Sequence, residues 1–226
     1  LEKRGIEVLV LSEYGISRVS RPVHLNRIFR KRGWLQVKDE LGLETLDCGG
    51  SKVFAVADHQ IAHVYVNDTS IADEVREVVL ATDGVEEIRE SSDLWGKGIA
   101  ADRGGDFVAV SDEDAWFTYY FWEDDSKAPD FARCIDIHRK PGYDPVELFL
   151  DPDLKFPLVK IAKFLAKKKL GFRGLMDVIP LNANLVKGSH GRDTVAPQEQ
   201  PVAIGRGAGQ VTSAEEVFFW IRDSLT

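Results

Sequence analysis

The run from Ile6 to Ser12 constrains the fold of this chain most strongly. It is almost continuously apolar, Ile-Glu-Val-Leu-Val-Leu-Ser, and a polar turn from Ser12 to Gly15 follows it. Such a run is typical of a strand that is covered on both faces, as in an α/β sheet. We therefore predict a buried strand here, and we expect the turn at the sheet edge where open α/β sheets bind their ligands.

The composition excludes several classes of protein. The chain has 226 residues, of which 44% are hydrophobic, so it can bury a sizeable core and is not disordered, collagenous or a disulfide scaffold. Its formal net charge of −8 argues against general nucleic-acid binding. No apolar run approaches the roughly 18 residues of a membrane span, so we expect no membrane partner. Two cysteines are too few for a metal cage, and we expect them to be reduced in a cytoplasmic protein.

The first residue is Leu1, and the sole methionine is Met176. The apolar run begins almost at once, with no signal-peptide pattern before it. From this we expect the chain to be a fragment of a longer protein.

The middle of the chain predicts a small α+β subdomain over residues 53–111. Strands are expected at 53–57, 61–66, 85–89 and 106–111, with a helix that begins at Ser70. The domain prediction is therefore a first part of the core over 1–52, the inserted subdomain over 53–111, and a return to the core over 112–226.

Three other segments carry a clear pattern. Residues 24–32 predict an amphipathic helix, and residues 157–170 a lysine-rich helix that is either solvated or meets an anionic partner. The stretch Trp116–Trp122 holds six aromatic residues among seven. It could stack on a nucleobase, cover the sheet or form a subunit contact. A capping box at Ser213 predicts a C-terminal helix.

Two turns and one loop are candidates for chemistry. Glu13 and His190 each stand on a tight turn, and a carboxylate with an imidazole suits zinc, manganese or iron. The loop 136–145 gathers His138, Arg139 and Lys140. In a functional interpretation His138 binds metal while the two cations hold phosphate oxygens; otherwise the loop is solvated. His63, in a strand, and His59, beside Asp58, are expected to be structural.

These motifs resemble the alkaline phosphatase superfamily, and within it the type I phosphodiesterase and nucleotide pyrophosphatase branch. Ser12–Gly15 stands where that branch has a Ser-Asp-His-Gly-Met turn, and Gly188–Gly191 matches its Gly-x-His-Gly turn. The resemblance implies an α/β, alkaline phosphatase-like sheet and a hydrolase of phosphodiester or pyrophosphate bonds. It also implies two divalent metal ions, zinc or else manganese or iron, bound in part by Glu13 and His190. The loop 136–145 matches no family motif, and His138 is predicted there as a replacement for the ligand lost at Tyr14.

The chain also departs from the family pattern. Glu13 replaces an Asp and Tyr14 a His, and no residue matches the family nucleophile, so we expect negligible activity of this chain alone. Tyr14, Arg139 and Lys140 are the predicted contacts to substrate, a phosphorylated small molecule or nucleotide. We expect Glu13 and His190 to lie close together. A catalytically degenerate binding or assembly module and a phosphomutase or sulfatase relative remain alternatives, and a homo-oligomer is left open.

Overall fold

The computed structural model describes residues 2–95, 103–193 and 195–225. The chain divides into two compact units. The smaller unit combines residues 1–17 with residues 193–226, and the larger unit comprises Arg18–Arg192. Each unit has its own helices and strands, as expected for a mixed α/β protein.

The helices of the described residues are α1 (Leu25–Lys31), α2 (Ala72–Leu80), α3 (Ser91–Trp95), α4 (Pro157–Lys169) and α5 (Ala214–Ser224). The predicted helices over 24–32, from Ser70, over 157–170 and after Ser213 are thus confirmed. None of these helices has the length and hydrophobicity needed to cross a membrane.

The first six strands are β1 (Val10–Leu11), β2 (Ser17–Arg18), β3 (Arg21–Val23), β4 (Gln36–Glu40), β5 (Leu43–Asp47) and β6 (Val53–Asp58). The others are β7 (Ile61–Val66), β8 (Val85–Glu90), β9 (Phe107–Ser111), β10 (Ala115–Phe117), β11 (Gly188–Ser189) and β12 (Ala203–Ile204).

The main sheet of the larger unit is antiparallel, with strand order β6-β7-β9-β8. β6 and β7 pair in full register from Val53↔Val66 to Asp58↔Ile61. Their side chains alternate between buried and partly exposed, the period-2 pattern of a sheet with one covered face. Helix α2 buries Val75 and Val79. The predicted strands are confirmed, whereas the 53–111 boundary stays a prediction, and its residues 96–102 lie outside the described chain.

The sequence pattern indicates a loop over residues 38–51, and the structure shows that this is wrong. β4 and β5 pair from Gln36↔Asp47 to Glu40↔Leu43 and form a hairpin. Leu41 in its turn adopts φ 59°, a conformation that is rare for a bulky side chain, and Asp39 accepts a hydrogen bond from the Gly42 N–H at 2.9 Å. Because the sequence offers a leucine where a hairpin turn usually has Asn or Gly, the pattern did not reveal this turn.

The predicted buried strand over residues 6–12 is also wrong. Only Val10–Leu11 is a strand, and these two residues are 52% and 49% exposed. Within the smaller unit β1 pairs with β12 in a two-stranded ladder. A two-stranded ladder buries little area by itself, and these apolar side chains stay in contact with solvent.

The aromatic stretch Trp116–Trp122 lies in the core of the larger unit. Each of its aromatic side chains is buried, and Tyr119, Tyr120 and Phe121 each contact the Trp122 ring. Aromatic side chains bury large areas and pack edge to face, so this stretch supplies much of the core. Stacking on a nucleobase is therefore excluded, and the expectation that the stretch covers the sheet is confirmed.

Asn26 attaches helix α1 to the outer edge of the sheet. Its side chain is fully buried, donates to the Ala55 carbonyl at 2.8 Å and accepts from the Ala55 N–H at 2.7 Å. β6 is an edge strand, so its outward backbone groups have no neighbouring strand to pair with. The asparagine amide takes the place of that missing neighbour and satisfies both groups.

We predict that Asn26→Leu lowers the free energy of unfolding by about 3 kcal/mol, because the similar volume is kept while two buried backbone groups lose their partner. Urea denaturation followed by circular dichroism measures the change. Asn184→Leu, at an exposed position, serves as the control and should shift stability by no more than about 0.5 kcal/mol. Equal stability of Asn26→Leu and the parent chain would contradict the assignment.

Candidate functional site

The turn between β6 and β7, Asp58-His59-Gln60, positions the candidate site. His59 adopts φ 59°, which turns the chain tightly between the two strands. Gln60 is fully buried, and its backbone N–H donates to the His190 carbonyl at 2.9 Å. This hydrogen bond holds the Gly188–Gly191 turn against the sheet.

Three rings meet at this turn. The His59 ring lies 3.8 Å from the His190 ring and 4.1 Å from the Tyr143 ring, centroid to centroid. Tyr143 reaches the turn because its backbone N–H donates to the Ala57 carbonyl at 2.7 Å. The structure therefore brings the predicted loop 136–145 to His190, through Tyr143 and His59.

A carboxylate orients the central ring. Nδ1 of His59 lies 2.8 Å from Oδ1 of Asp58. This hydrogen bond, helped by the charges of His59, His190 and His63, holds the pKa of Asp58 below its usual range despite partial burial. Because Nδ1 is engaged by the carboxylate, Nε2 is the ring nitrogen of His59 left to meet a ligand or a proton.

The loop 136–145 has one buried and one exposed side. Lys140 is buried, and its ammonium group lies 2.8 Å from Asp144 and 2.6 Å from Glu147. Burial raises the pKa of Asp144, and the Lys140 charge opposes this rise. A lysine enclosed between two carboxylates is a structural group, so its burial favours that role over contact with a substrate phosphate.

Gly142 allows the loop to approach the sheet. It adopts φ 127°, and a Cβ atom there would lie 2.7 Å from the Ala57 carbonyl oxygen. On the outer side of the loop, His138 and Arg139 are exposed, and Arg139 pairs with Asp136 at 3.2 Å. His138 as a metal ligand and Arg139 as a phosphate contact remain predictions.

Glu13 and Tyr14 belong to the smaller unit, and both are exposed. The turn that carries them is fixed at Ser12, whose N–H donates to the Val202 carbonyl at 2.9 Å and whose Oγ accepts from the Val202 N–H at 2.7 Å. His190, His138, Arg139 and Lys140 belong to the larger unit. The predicted proximity of Glu13 and His190 remains a prediction.

The donor groups around His59 decide whether a metal ion fits there. Asp58, His59 and His190 provide a carboxylate and two imidazoles, but Asp58 is hydrogen-bonded to His59 and the two imidazoles contact each other ring to ring. Within residues 2–95, 103–193 and 195–225, no three His, Cys, Asp or Glu side chains are grouped so that they could hold a metal ion. These side chains thus do not by themselves fit the two ions that the resemblance implies.

The sequence interpretation missed His59 and Tyr143 as site residues. The pairing of His59 with Asp58 was expected and is confirmed, but its contact with His190 joins positions 131 residues apart. The signal available in the sequence was a histidine in a two-residue connection between two strands. In the structure, a bulky side chain at positive φ marks this connection as a constrained turn. His63 hydrogen-bonds the Gly104 carbonyl at 2.6 Å, in accord with its expected structural role.

A second concave feature, a cavity of about 370 Å³, lies beside α1. His24, Tyr120 and Arg27 line one part of it. Nδ1 of His24 is hydrogen-bonded to Oγ1 of Thr118 at 2.7 Å, and its ring stacks on Tyr120 at 5.8 Å. Burial lowers the pKa of His24 to about 4, and the nearby Arg27 charge acts in the same direction. The imidazole is therefore neutral at physiological pH.

Comparison with known families agrees with the motifs. The chain belongs to the type I phosphodiesterase / nucleotide pyrophosphatase family, whose profile matches residues 1–144. This match confirms the family recognised from the two turns. A search of curated proteins found no significant match.

Two solved structures are similar to part of the chain. They are crystal structures of phosphonoacetate hydrolase from Sinorhizobium meliloti 1021, in complex with phosphonoformate and with phosphonoacetate. The TM-scores are 0.38 and 0.37 at 16% identity. Each match covers 53% of this chain and 30% of the other, so the chain matches less than a third of that enzyme's length.

We predict that His59→Gln raises the pKa of Asp58 toward its usual value, because the largest cause of the lowered pKa is the hydrogen bond from His59. A titration of the Asp58 carboxyl carbon by NMR measures it. His63→Gln should have a smaller effect, since His63 acts only through a more distant charge. The interpretation fails if the two variants shift the Asp58 titration equally.

We also predict that the free energy of unfolding falls as the pH falls from about 6.5 to about 4, in part because of His24. The unfolded chain binds a proton near pH 6.5 and the folded state only near pH 4, so acid favours the unfolded state in this window. This difference between the His24 pKa of the unfolded state and that of the folded state corresponds to about 3 kcal/mol in the free energy of unfolding.

Denaturant unfolding at a series of pH values measures this contribution. His24→Gln cannot titrate in the window, so its stability should depend less on pH than that of the parent chain. His138→Gln, at an exposed position, should keep the parent dependence. An unchanged slope in His24→Gln would show that His24 contributes nothing.

Proposed function

We propose that this chain forms part of a metal-dependent hydrolase of phosphodiester or pyrophosphate bonds, acting on a phosphorylated small molecule or nucleotide. The observation that carries the proposal is the meeting of His190, on the turn that resembles the family's Gly-x-His-Gly turn, with His59. Two imidazoles beside a carboxylate are suited to binding phosphate oxygens and to moving protons.

In this proposal His59 has a role that the sequence did not assign. Asp58 binds Nδ1 and orients the ring, which leaves Nε2 to hold a proton at a substrate oxygen. His59 would thereby supply near His190 an imidazole of the kind that the family has at the position of Tyr14. Tyr143, packed on the same ring, would restrict its rotation and exclude water from one face.

Metal dependence belongs to the same proposal. Glu13, His190 and His138 are the proposed ligands, with zinc, manganese or iron as the ions that suit carboxylate and imidazole. The described residues do not group these side chains into a ready site, so the ligand set rests on the family resemblance and on the sequence of the loop 136–145. Bound ions would supply charge stabilisation for the phosphoryl oxygens. Arg139 would add positive charge at the loop 136–145.

We predict that His190→Ala and Glu13→Gln each weaken zinc binding by about 10-fold or more, since each removes one ligand of a small set. Isothermal titration calorimetry of the 226-residue chain measures this without relying on turnover. His63→Ala, which removes a structural histidine, is the matched control. Binding that none of the variants alters would place any metal elsewhere and overturn the ligand proposal.

A substrate panel tests the reaction class. An aryl phosphodiester, an aryl phosphate monoester and an aryl sulfate are offered to the chain with zinc and with manganese. We expect negligible turnover, because no residue matches the family nucleophile. Preference for the diester in any residual activity supports the proposal. Preference for the monoester or the sulfate favours the alternative, a phosphomutase or sulfatase relative. Failure to bind metal together with no turnover favours a degenerate binding module.

A further inference from the structure

One segment of this acidic chain is strongly basic. Residues 154–176 hold seven cationic side chains and no carboxylate side chain, in a chain whose net charge is −8. The cations are Lys155, Lys160, Lys163, Lys167, Lys168, Lys169 and Arg173. Helix α4 forms the central part of this segment, and none of its residues is fully buried.

The apolar side of α4 points away from the protein. Leu158, Val159 and Leu165 are 74%, 65% and 54% exposed, whereas Pro157 and Phe164 are partly covered. At 100° per residue the three exposed side chains fall on one side of the helix, together with the exposed Ala162 and Ala166. An amphipathic helix that stabilises its own domain would bury this side. The exposed side of α4 is therefore available to a partner outside the domain.

At the same spacing Lys163 and Lys168 flank this apolar side and Lys169 lies within it, whereas Lys160 and Lys167 face a cleft on the other side of the helix. Gly171, at φ 85°, reverses the chain after α4 and brings Arg173 back beside Lys163 and Lys167. The cleft has a volume of about 260 Å³, and Phe164 and Phe172 also line it. Its one carboxylate is Asp177, which Lys160 neutralises at 2.8 Å. Within the described chain, Lys163, Lys167 and Arg173 make no ion pair.

We propose that α4 and the turn after it bind an anionic lipid surface. The exposed leucines and valine would enter the boundary between headgroups and acyl chains, and Lys163, Lys168 and Lys169 would contact lipid phosphates. The helix is about 20 Å long and would lie in the plane of the surface. Our expectation of no membrane partner rested on the lack of a membrane span, which surface binding does not require.

The apolar side chains distinguish this surface from other polyanions. Nucleic acid would pair with the lysines but would leave Leu158, Val159 and Leu165 in water. An apolar interface between copies of this chain would cover the leucines, but it would have to desolvate the lysines beside them. A lipid surface accommodates both groups at once, because its acyl chains and its phosphates lie a few ångströms apart.

Co-sedimentation with vesicles tests the proposal. The chain is mixed with vesicles of phosphatidylcholine alone and with vesicles of equal parts phosphatidylcholine and phosphatidylglycerol. We expect binding to the anionic vesicles that weakens with added salt, and at least ~10-fold weaker binding to the neutral ones, since each nearby lysine contributes about fivefold. Equal binding to both vesicles, or no binding to either, would overturn the proposal.

Two pairs of variants locate the surface. Lys168→Gln/Lys169→Gln should lower the partition coefficient by roughly 25-fold, about fivefold for each lysine, and Leu158→Gln/Leu165→Gln should lower it by roughly 10-fold. The matched controls change equally exposed residues elsewhere: Lys31→Gln/Lys127→Gln and Leu41→Gln/Leu148→Gln should stay within about twofold of the parent chain. Circular dichroism confirms that each variant is folded.

The remaining outcomes also decide the matter. If the control lysine pair weakens binding as much as the α4 pair, the attraction is a property of overall charge and α4 is not the site. If sedimentation equilibrium shows a dimer that Leu158→Gln/Leu165→Gln dissociates, and the parent chain ignores vesicles, the face is an interface between copies. Neither result depends on metal binding or hydrolysis, so the proposed function is tested separately.

Discussion

The β6–β7 turn holds together the segments that form the candidate site of the larger unit. Four backbone hydrogen bonds converge on residues 57–60, each from a different partner segment. They join Gln60 N–H to His190 C=O, Ser111 N–H to Gln60 C=O, Phe117 N–H to His59 C=O and Tyr143 N–H to Ala57 C=O, with N···O distances between 2.7 and 2.9 Å. Because the Gln60 side chain also donates to the carbonyls of Glu113 and Ala115, a shift of this turn would disturb all of these segments together.

The same turn holds the polar His59 side chain in a fixed position beside the aromatic core. The ring of His59 is held by Asp58 on one nitrogen and by rings on its sides, so its position costs little further entropy when a ligand arrives. The neighbouring loop obtains its rigidity separately, from Lys140 between Asp144 and Glu147. Breaking a buried ion pair leaves an uncompensated charge, so this loop has one strongly favoured conformation.

The sequence predicted local structure well and long-range contacts poorly. The period of α1, the alternation of β6 and β7 and the capping box of α5 each follow from neighbouring residues, and each was confirmed. The strand predicted over residues 6–12 failed because hydrophobicity alone does not say whether a second layer covers a strand. The contact of His59 with His190 could not be inferred, since it depends on strand register and on two turns far apart in sequence.

The Gly188–Gly191 turn and the Ser12–Gly15 turn differ in how hydrogen bonds hold them. The His190 carbonyl in the Gly188–Gly191 turn accepts a hydrogen bond from the Gln60 N–H, so this turn is attached to the β6–β7 turn and its histidine is held in place. The Ser12–Gly15 turn is fixed through Ser12, and Glu13 and Tyr14 project from it as exposed side chains. Substitution at those two positions therefore leaves the backbone hydrogen bonds of the turn intact. Glu13 and Tyr14 can therefore change without loss of the turn, whereas His190 is tied to Gln60 through its backbone and to the ring of His59.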